Sequence, residues 1–247
     1  MQNDNIQPLC CCKMHVYFRL LFFKHQQNPC LKLWNNNCLV FYTMTIDMTH
    51  TLYDFDALAE DYDSWYATPQ GRDHDLRQKA LASRFVPRAE PDRKLLDAGC
   101  GTGHWSRFFA QLGYEVTGID ISDKMIESAK KRSPAQCVFM RADVCELPFE
   151  SKSFDVVAAM TTLEFVSSIS KALDEMFRCL KPSGRALVGT LNRNASLNIQ
   201  RLAEKKQPYI SGNLLTPDEL AELLEPFGKV RMETTNRAAL TMAEVTQ

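Results

Sequence analysis

The stretch that most constrains the fold is residues 95–103, which read Leu-Leu-Asp-Ala-Gly-Cys-Gly-Thr-Gly. The two leucines are typical of a buried strand, and the three glycines that follow stand two positions apart. A helical pattern of apolar residues then runs from Trp105 to Leu112. Strand, glycine-rich turn and helix form the first unit of a ligand-binding α/β sheet, because glycine lets a ligand approach the backbone at the helix N-terminus.

The spacing of the glycines excludes one common class of ligand. The dinucleotide fingerprint G-x-G-x-x-G would place a glycine at position 104, where this chain has His104. The pattern here is D-x-G-x-G-x-G instead, with Asp97 at the end of the predicted strand. The ligand is expected beyond the carboxyl ends of the strands.

Alternating strand and helix patterns continue along the chain. Further strands are indicated at 114–120, 137–141, 154–160, 185–191 and 227–232. Helical patterns lie between most of them, and one has a strong start at Thr216, followed by proline and glutamate. This order predicts one α/β domain with a doubly wound, mostly parallel, Rossmann-like sheet.

Acidic residues at the strand ends suggest how a nucleoside would be held. Asp120 follows Asp97 by 23 positions and could accept from two ribose hydroxyls. Ile121 could lie against an adenine ring, and Asp143 with Val144 could meet the exocyclic amine of the base. Alternatively, Asp143 could be a turn residue that caps a short loop. Arg72 could bind the carboxylate of an amino-acid cofactor or remain a solvated surface charge.

Five features in this order resemble the methyltransferase type 11 group of the class I S-adenosylmethionine-dependent methyltransferases, which includes quinone-biosynthesis enzymes. They are 97–103, Asp120, 142–144, 154–160 and 180–184. The resemblance covers residues 53 to 230 and implies the class I methyltransferase fold with S-adenosylmethionine as cofactor. It also implies transfer of the cofactor's methyl group to a small-molecule acceptor by in-line displacement.

The resemblance carries a set of cofactor-binding residues. The glycine loop would hold the methionine part, Asp97 would face its amino group, and 62–72 would form a lid. The full set is Tyr62, Arg72, Asp97, Gly99, Cys100, Gly101, Gly103, Asp120, Ile121, Met125, Asp143, Val144, Met160 and Thr161. We predict no metal site.

The end of the chain departs from the family pattern. The family has a seventh, antiparallel strand in its sheet, whereas residues 233–247 are mostly polar and compatible with a helix. We therefore expect this strand to be shortened, altered or absent, which would leave the sixth strand with an open edge.

The acceptor is less well indicated by sequence. Nucleic-acid amino-methylating members carry a proline-containing motif after the fourth strand, and residues 160–166 contain no proline. The formal net charge of −1 also gives no reason to expect a nucleic-acid partner. The alternatives are an RNA or protein methyltransferase, or a cofactor-binding protein without transferase activity.

Three residues are candidates for a catalytic base. Glu164 stands where many small-molecule members have a polar residue facing the acceptor, although it could instead be a carboxylate at a helix start. His74 and His104 are the other two, because an imidazole side chain can take up a proton near neutral pH.

Residues 1–47 differ in composition from the rest of the chain. They contain no alanine, glycine or glutamate, and they hold five of the nine cysteines. We interpret them as a disordered or artificial extension, with the methyltransferase domain at 48–247. Their apolar run is too short to span a bilayer. The other four cysteines are scattered, which suits a reduced, cytoplasmic protein.

A shortened chain that begins at Met48 should keep both its melting temperature and its affinity for S-adenosylmethionine, because residues 1–47 show no periodic apolar face that a core could bury. Removal of five cysteines should also improve solubility. Thermal denaturation and calorimetric titration of both chains check this. A fall of several degrees in the melting temperature, or loss of binding, would show that the extension belongs to the folded enzyme.

Overall fold

The computed structural model describes residues 31–35, 38–42, 51–235 and 239–246. The chain divides into two compact units, Met1–Met48 and Thr49–Gln247. In the first unit, β1 (Leu31–Asn35) pairs antiparallel with β2 (Cys38–Tyr42). That residues 1–47 are a disordered or artificial extension stays a prediction. The rest of 1–47 lies outside the described residues.

The second unit is built on a seven-stranded sheet. Its strands are β3 (Lys94–Ala98), β4 (Glu115–Asp120), β5 (Cys137–Arg141), β6 (Phe154–Met160), β7 (Leu180–Leu191), β8 (Lys229–Thr234) and β9 (Leu240–Thr246). Their order across the sheet is β5-β4-β3-β6-β7-β9-β8. The first five are parallel, and β9 is antiparallel to both of its neighbours.

Helices cover both faces of the sheet. They are α1 (Ser64–Ala67), α2 (Pro69–Phe85), α3 (His104–Gln111), α4 (Asp123–Arg132), α5 (Ile169–Cys179), α6 (Ser196–Ala203) and α7 (Pro217–Leu224). The apolar sides of α2 and α3 form one core with the sheet, and those of α5 and α7 form another. The predicted doubly wound, mostly parallel, Rossmann-like fold is confirmed.

The strands at the centre of the sheet are buried on both faces, and this explains their continuous apolar runs in the sequence. Every residue of β6 is buried, and Leu96 of β3 is paired in register with Val157 of β6. A strand that is covered on both faces must be apolar at nearly every position, and this gives a continuous apolar run. Within the described residues, no helix is long and apolar enough to cross a membrane.

The expectation of a shortened or absent seventh strand was wrong. Strand β9 is complete, lies between β7 and β8, and is buried at all but its last residue. The sequence of this strand looks polar partly because it contains Glu244. The buried carboxylate of Glu244 accepts from Arg185 and lies 3.3 Å from Arg231. Because these arginines pair with the carboxylate, a charged residue is tolerated inside the sheet.

Substitution of Arg185 by Met should lower the free energy of unfolding by about 1–3 kcal/mol, because Glu244 loses a charged donor while it stays buried. Substitution of Arg84 by Met is the matched control, since it removes an exposed ion pair with Glu233 and should cost at most about 1 kcal/mol. Urea denaturation measures both. Equal losses would mean that the Glu244 ion pair is no more important than a surface pair.

Candidate functional site

The glycine loop after β3 has the open backbone that the sequence indicated. Gly99, Gly101 and Gly103 have φ angles of 76°, 53° and 78°, a left-handed conformation that favours glycine. A side chain at Gly101 would meet no atom within 4 Å, so this part of the loop faces open space. A Cβ at Gly99 would lie 2.3 Å from Thr162, so that position also requires glycine.

Asp120, at the end of β4, binds the loop. Its Oδ2 accepts from the backbone N–H of Gly101 at 2.9 Å, and its Oδ1 accepts from that of Ser122 at 2.9 Å. Burial raises the pKa of this carboxyl, while the backbone N–H bonds counteract the rise. Each oxygen retains a lone pair that could accept from a ligand hydroxyl.

A cavity opens beside this loop, at the carboxyl ends of β3, β4 and β6. We call it the first cavity. Most of the residues predicted to bind a cofactor line it, namely Tyr62, Gly99, Cys100, Gly101, Asp120, Ile121, Met125, Asp143, Val144, Met160 and Thr161. These residues come from five separate parts of the chain, and the sheet topology brings them together.

Three of the predicted cofactor residues do not line this cavity. Arg72 is exposed, and its guanidinium donates to the backbone carbonyl of Ala67. Gly103 faces α4, because a Cβ there would meet Ala129 and two other side chains. Asp97 lies behind the loop and is 1% exposed.

Asp97 nevertheless keeps an unused acceptor. Its Oδ2 accepts from the Ser106 hydroxyl, whereas its Oδ1 is buried and has no hydrogen-bond partner among the described residues. Burial raises the pKa of Asp97 to about 7, since the charged form is poorly solvated there. A cationic group of a ligand beside Oδ1 would satisfy this acceptor and favour the ionised form.

The segment before α2 covers the loop and is fixed by polar contacts. The carboxylate of Asp63 accepts from the Thr102 hydroxyl at 2.6 Å and from Arg132 at 2.7 Å. Tyr62 lines the first cavity together with Thr161. Burial raises the pKa of Tyr62 above its ordinary value, so its hydroxyl remains neutral and can donate. This placement suits the lid predicted at 62–72.

A second cavity, of about 280 Å³, adjoins the first. The two share a common wall of seven residues, which are Phe55, Tyr62, Tyr66, Trp105, Met160, Thr161 and Phe165. Aromatic side chains dominate the second cavity, and they are Phe55, Tyr62, Trp65, Tyr66, Trp105, Phe165 and Tyr209. Its polar lining consists of Asp61, His74, Gln78, Thr161 and Arg201.

The three candidate bases occupy different places. His74 lines the second cavity. His104 does not: its Nε2 lies 2.6 Å from Asp75, and its ring stacks on Tyr66 at 3.8 Å. Glu164 also lines neither cavity, because its Oε1 accepts from the backbone N–H of Leu191 inside the core. The expected acceptor-facing position of Glu164 is therefore not what the structure has.

Several lining residues were not predicted from the sequence. Thr162 lies two positions after the carboxyl end of β6, and its position alone could have indicated it. Arg201 and Tyr209 lie after β7 in a region without a motif. Thr51 and Phe55 precede the first helix, where apolar and hydroxyl residues are equally common in ordinary packing.

Comparison with known proteins was made by sequence and by structure. The family model described as a methyltransferase domain matches residues 96–188. A malonyl-[acyl-carrier protein] O-methyltransferase of Erwinia pyrifoliae is 36% identical over 124 residues, which are 49% of this chain and 47% of that protein. The uncharacterized protein MJ1123 of Methanocaldococcus jannaschii is 30% identical over 184 residues, 73% of this chain and 83% of that protein. The chain thus spans about half the length of the first of these relatives.

Two solved methyltransferases are similar to this chain in fold. Magnesium protoporphyrin IX methyltransferase from Synechocystis, solved with bound S-adenosylhomocysteine, has a TM-score of 0.62 at 19% identity, over 78% of this chain and 96% of that one. A possible histamine N-methyltransferase from Thermotoga maritima has a TM-score of 0.60 at 22% identity, over 78% and 97%.

Glu164 should make stability depend on pH. Burial raises its pKa from 4.5 to about 7, and its Oε2 has no hydrogen-bond partner among the described residues. The folded state therefore holds a proton that the unfolded state releases. The stability that this provides is complete below pH 4.5 and is lost as the pH rises through 7.

Substitution of Glu164 by Gln mimics the protonated carboxyl and should remove this dependence. At pH 8 the variant should be more stable than the parent by about 1–3 kcal/mol, and at pH 4 the two should be nearly equal. Urea denaturation at both pH values, without ligand, makes the comparison. A variant that is less stable at pH 8 would show that the ionised carboxylate is required by the fold.

Proposed function

The chain belongs to the class I S-adenosylmethionine-dependent methyltransferases, and from this membership we propose that its methyl acceptor is a small molecule bound in the second cavity. The enzyme is thus a methyltransferase whose cofactor is S-adenosylmethionine. The proposal concerns the acceptor and the residues that hold the two ligands.

The common wall of the two cavities is the observation that carries this proposal. A methyl group can pass between two ligands only where their sites meet, and the cavities meet at a common wall that includes Tyr62, Met160 and Thr161. Thr161 has a φ of 53°, a backbone conformation that residues other than glycine rarely adopt. Such backbone strain is concentrated at functional sites. The aromatic lining and enclosed shape of the second cavity favour a small organic molecule over a nucleic-acid strand.

We assign the first cavity to the cofactor. Asp120 would accept from the ribose hydroxyls, Ile121 and Met125 would lie against the adenine, and Asp143 with Val144 would meet its amine edge. Gly99 and Gly101 would lie along the methionine part, and the unpartnered Oδ1 of Asp97 would accept from its ammonium group. Arg72 and Gly103 are left out of this set, since they face elsewhere.

The chain's main contribution to the reaction is alignment. When bound, S-adenosylmethionine supplies a methyl group that its sulfonium already activates. Correct positioning of two reactants can lower a barrier by roughly 7–11 kcal/mol. Tyr62 lines both cavities at the common wall, where its neutral hydroxyl could donate to a ligand. Should the acceptor have to lose a proton, His74 is the candidate base that lines its cavity.

The relatives favour the cofactor assignment more than any one acceptor. The family model matches 96–188, whereas much of the second cavity is formed by residues before 96 and after 188. The malonyl-[acyl-carrier protein] enzyme acts on a small group carried by a protein, and this makes a carrier-bound acceptor the second candidate for this chain. An RNA or protein methyltransferase and a binding protein without transferase activity remain the alternatives to exclude.

Release of S-adenosylhomocysteine tests the proposal. The full-length protein, S-adenosylmethionine and pooled small metabolites are incubated together, and parallel reactions contain total RNA, a protein extract or acyl-carrier protein loaded with malonyl. The proposal is supported if S-adenosylhomocysteine is released above the background with a metabolite pool and with none of the other additions. Release that occurs only with RNA, protein or the loaded carrier contradicts it, as does the absence of release from every pool.

Asp120 provides a direct test of the cofactor site. Substitution by Ala should weaken binding of S-adenosylhomocysteine about ten- to a hundredfold, because hydrogen bonds to a charged acceptor are worth about 1.5–3 kcal/mol. Asp123→Ala is the matched control, since Asp123 is exposed at the start of α4 and lies outside the cavity. Calorimetry with both variants gives the affinities. Unchanged affinity in the Asp120 variant would remove this residue from the site.

A further inference from the structure

We propose that the second cavity selects a flat aromatic acceptor that carries a carboxylate, and that Arg201 binds this carboxylate. The inference depends on the proposed function only in that it treats the second cavity as the acceptor site. It adds the chemical class of the acceptor and one residue that determines specificity.

The aromatic wall points to a ring-shaped ligand. Trp65 packs edge-on against Tyr66 at 5.2 Å between ring centroids, and against His74 at 5.7 Å. On the other side, Phe55 packs edge-on against Phe165 at 5.1 Å. Rings that brace one another in this way keep their orientation, and they present flat faces and edges that another aromatic ring fits well.

Among the described residues, Arg201 is the one arginine or lysine that lines the second cavity. No ion pair with a described carboxylate balances its charge. Its guanidinium lies 4.2 Å over the ring of Tyr209, and Nη1 donates to Asn198 Oδ1 at 3.0 Å. Neither partner is anionic, and no described carboxylate lies within 4.0 Å of it. By contrast, Arg84, Arg178 and Arg185 each pair with a glutamate.

The two observed contacts hold the guanidinium in one orientation. A guanidinium has five N–H donors, and one of them is used by Asn198. The remaining donors lie in the plane of the fork, which matches the two oxygens of a carboxylate. Tyr209 covers one face of the guanidinium and leaves its edge for a ligand, as bidentate pairing requires.

The position of Arg201 separates recognition from reaction. Arg201 lines the second cavity alone and is absent from the common wall. We therefore infer that the carboxylate it binds orients the acceptor, while a different atom of the acceptor meets the methyl group. Asp61 is the acidic residue of this lining, and it is exposed to solvent. The negative charge of Asp61 repels a ligand carboxylate at the rim of the cavity, whereas Arg201 attracts it.

The test measures binding to the full-length protein saturated with S-adenosylhomocysteine. The probes are three pairs that differ in charge alone: benzoate and benzamide, indole-3-acetate and indole-3-acetamide, and 2-naphthoate and 2-naphthamide. In at least one pair, calorimetry should show that the carboxylate binds about tenfold or more tightly than its amide. Octanoate, a carboxylate without a ring, should bind more weakly than the best aromatic carboxylate.

Two variants assign the preference to Arg201. Arg201→Met should reduce the difference within that pair to about twofold or less and leave the amide's affinity unchanged. Arg201→Lys should retain part of the preference, because it keeps the charge but loses the fork. Arg77→Met is the matched control: Arg77 is exposed on α2, pairs with Asp73 and lines neither cavity, so the preference should remain. Thermal denaturation confirms that each variant is folded.

Every outcome of these binding measurements either supports or overturns the proposal. The proposal is overturned if no carboxylate of the three binds below about 1 mM, if amides bind as tightly, if octanoate binds best, or if Arg201→Met keeps the preference. Its failure is distinct from failure of the proposed function. Methyl transfer to neutral metabolites without any carboxylate preference would refute this inference alone. A carboxylate preference without release of S-adenosylhomocysteine from any pool would refute the proposed function alone.

Discussion

The carboxylate of Asp120 holds two backbone N–H groups, those of Gly101 and Ser122, and the shape of the first cavity depends on this contact. One bond fixes the glycine loop after β3, and the other fixes the turn that leads into α4. The two segments are separate in sequence, and the parallel pairing of β3 with β4 brings their ends together. A single acid at a strand end thereby sets the distance between the loop and the neighbouring turn. Because its oxygens retain lone pairs, the same group can both build the cavity and face a ligand in it.

Two other buried carboxyls lie near this region, and each has one oxygen without a partner among the described residues: Asp97 and Glu164. Both have a pKa raised to about 7, so near neutral pH each is partly protonated. Such groups lower the stability of the protein without ligand, since the charged form is poorly solvated. The two differ in what could relieve this cost. Asp97 is directly behind the glycine loop, where a cationic ligand group could reach it, whereas Glu164 is enclosed by protein and supports the end of β7 through Leu191.

Sequence predicted the residues that line the first cavity far better than those that line the second, and the reason is physical. Asp120, Ile121, Asp143 and Val144 stand at strand ends, and parallel topology places all such ends at one edge of the sheet. Arg72 has no such constraint. Its guanidinium binds Ala67, a local partner that composition does not reveal. The error at β9 has a similar origin, because Glu244 and the threonines read as solvated, while Arg185, 59 positions away, allows the carboxylate to be buried. Long-range pairing of this kind leaves no periodic signal.

The two cavities are built from different kinds of elements. The first lies at the ends of β3, β4 and β6, and these strands belong to the core that holds the sheet together. A change there would cost stability as well as alter the cavity. The second is formed largely by the segment before α2 and by residues around α6, which lie outside the sheet and are held by individual contacts such as that of Arg201 with Tyr209. Under the proposed function, substitutions in these segments would alter acceptor specificity while the fold and the first cavity persist.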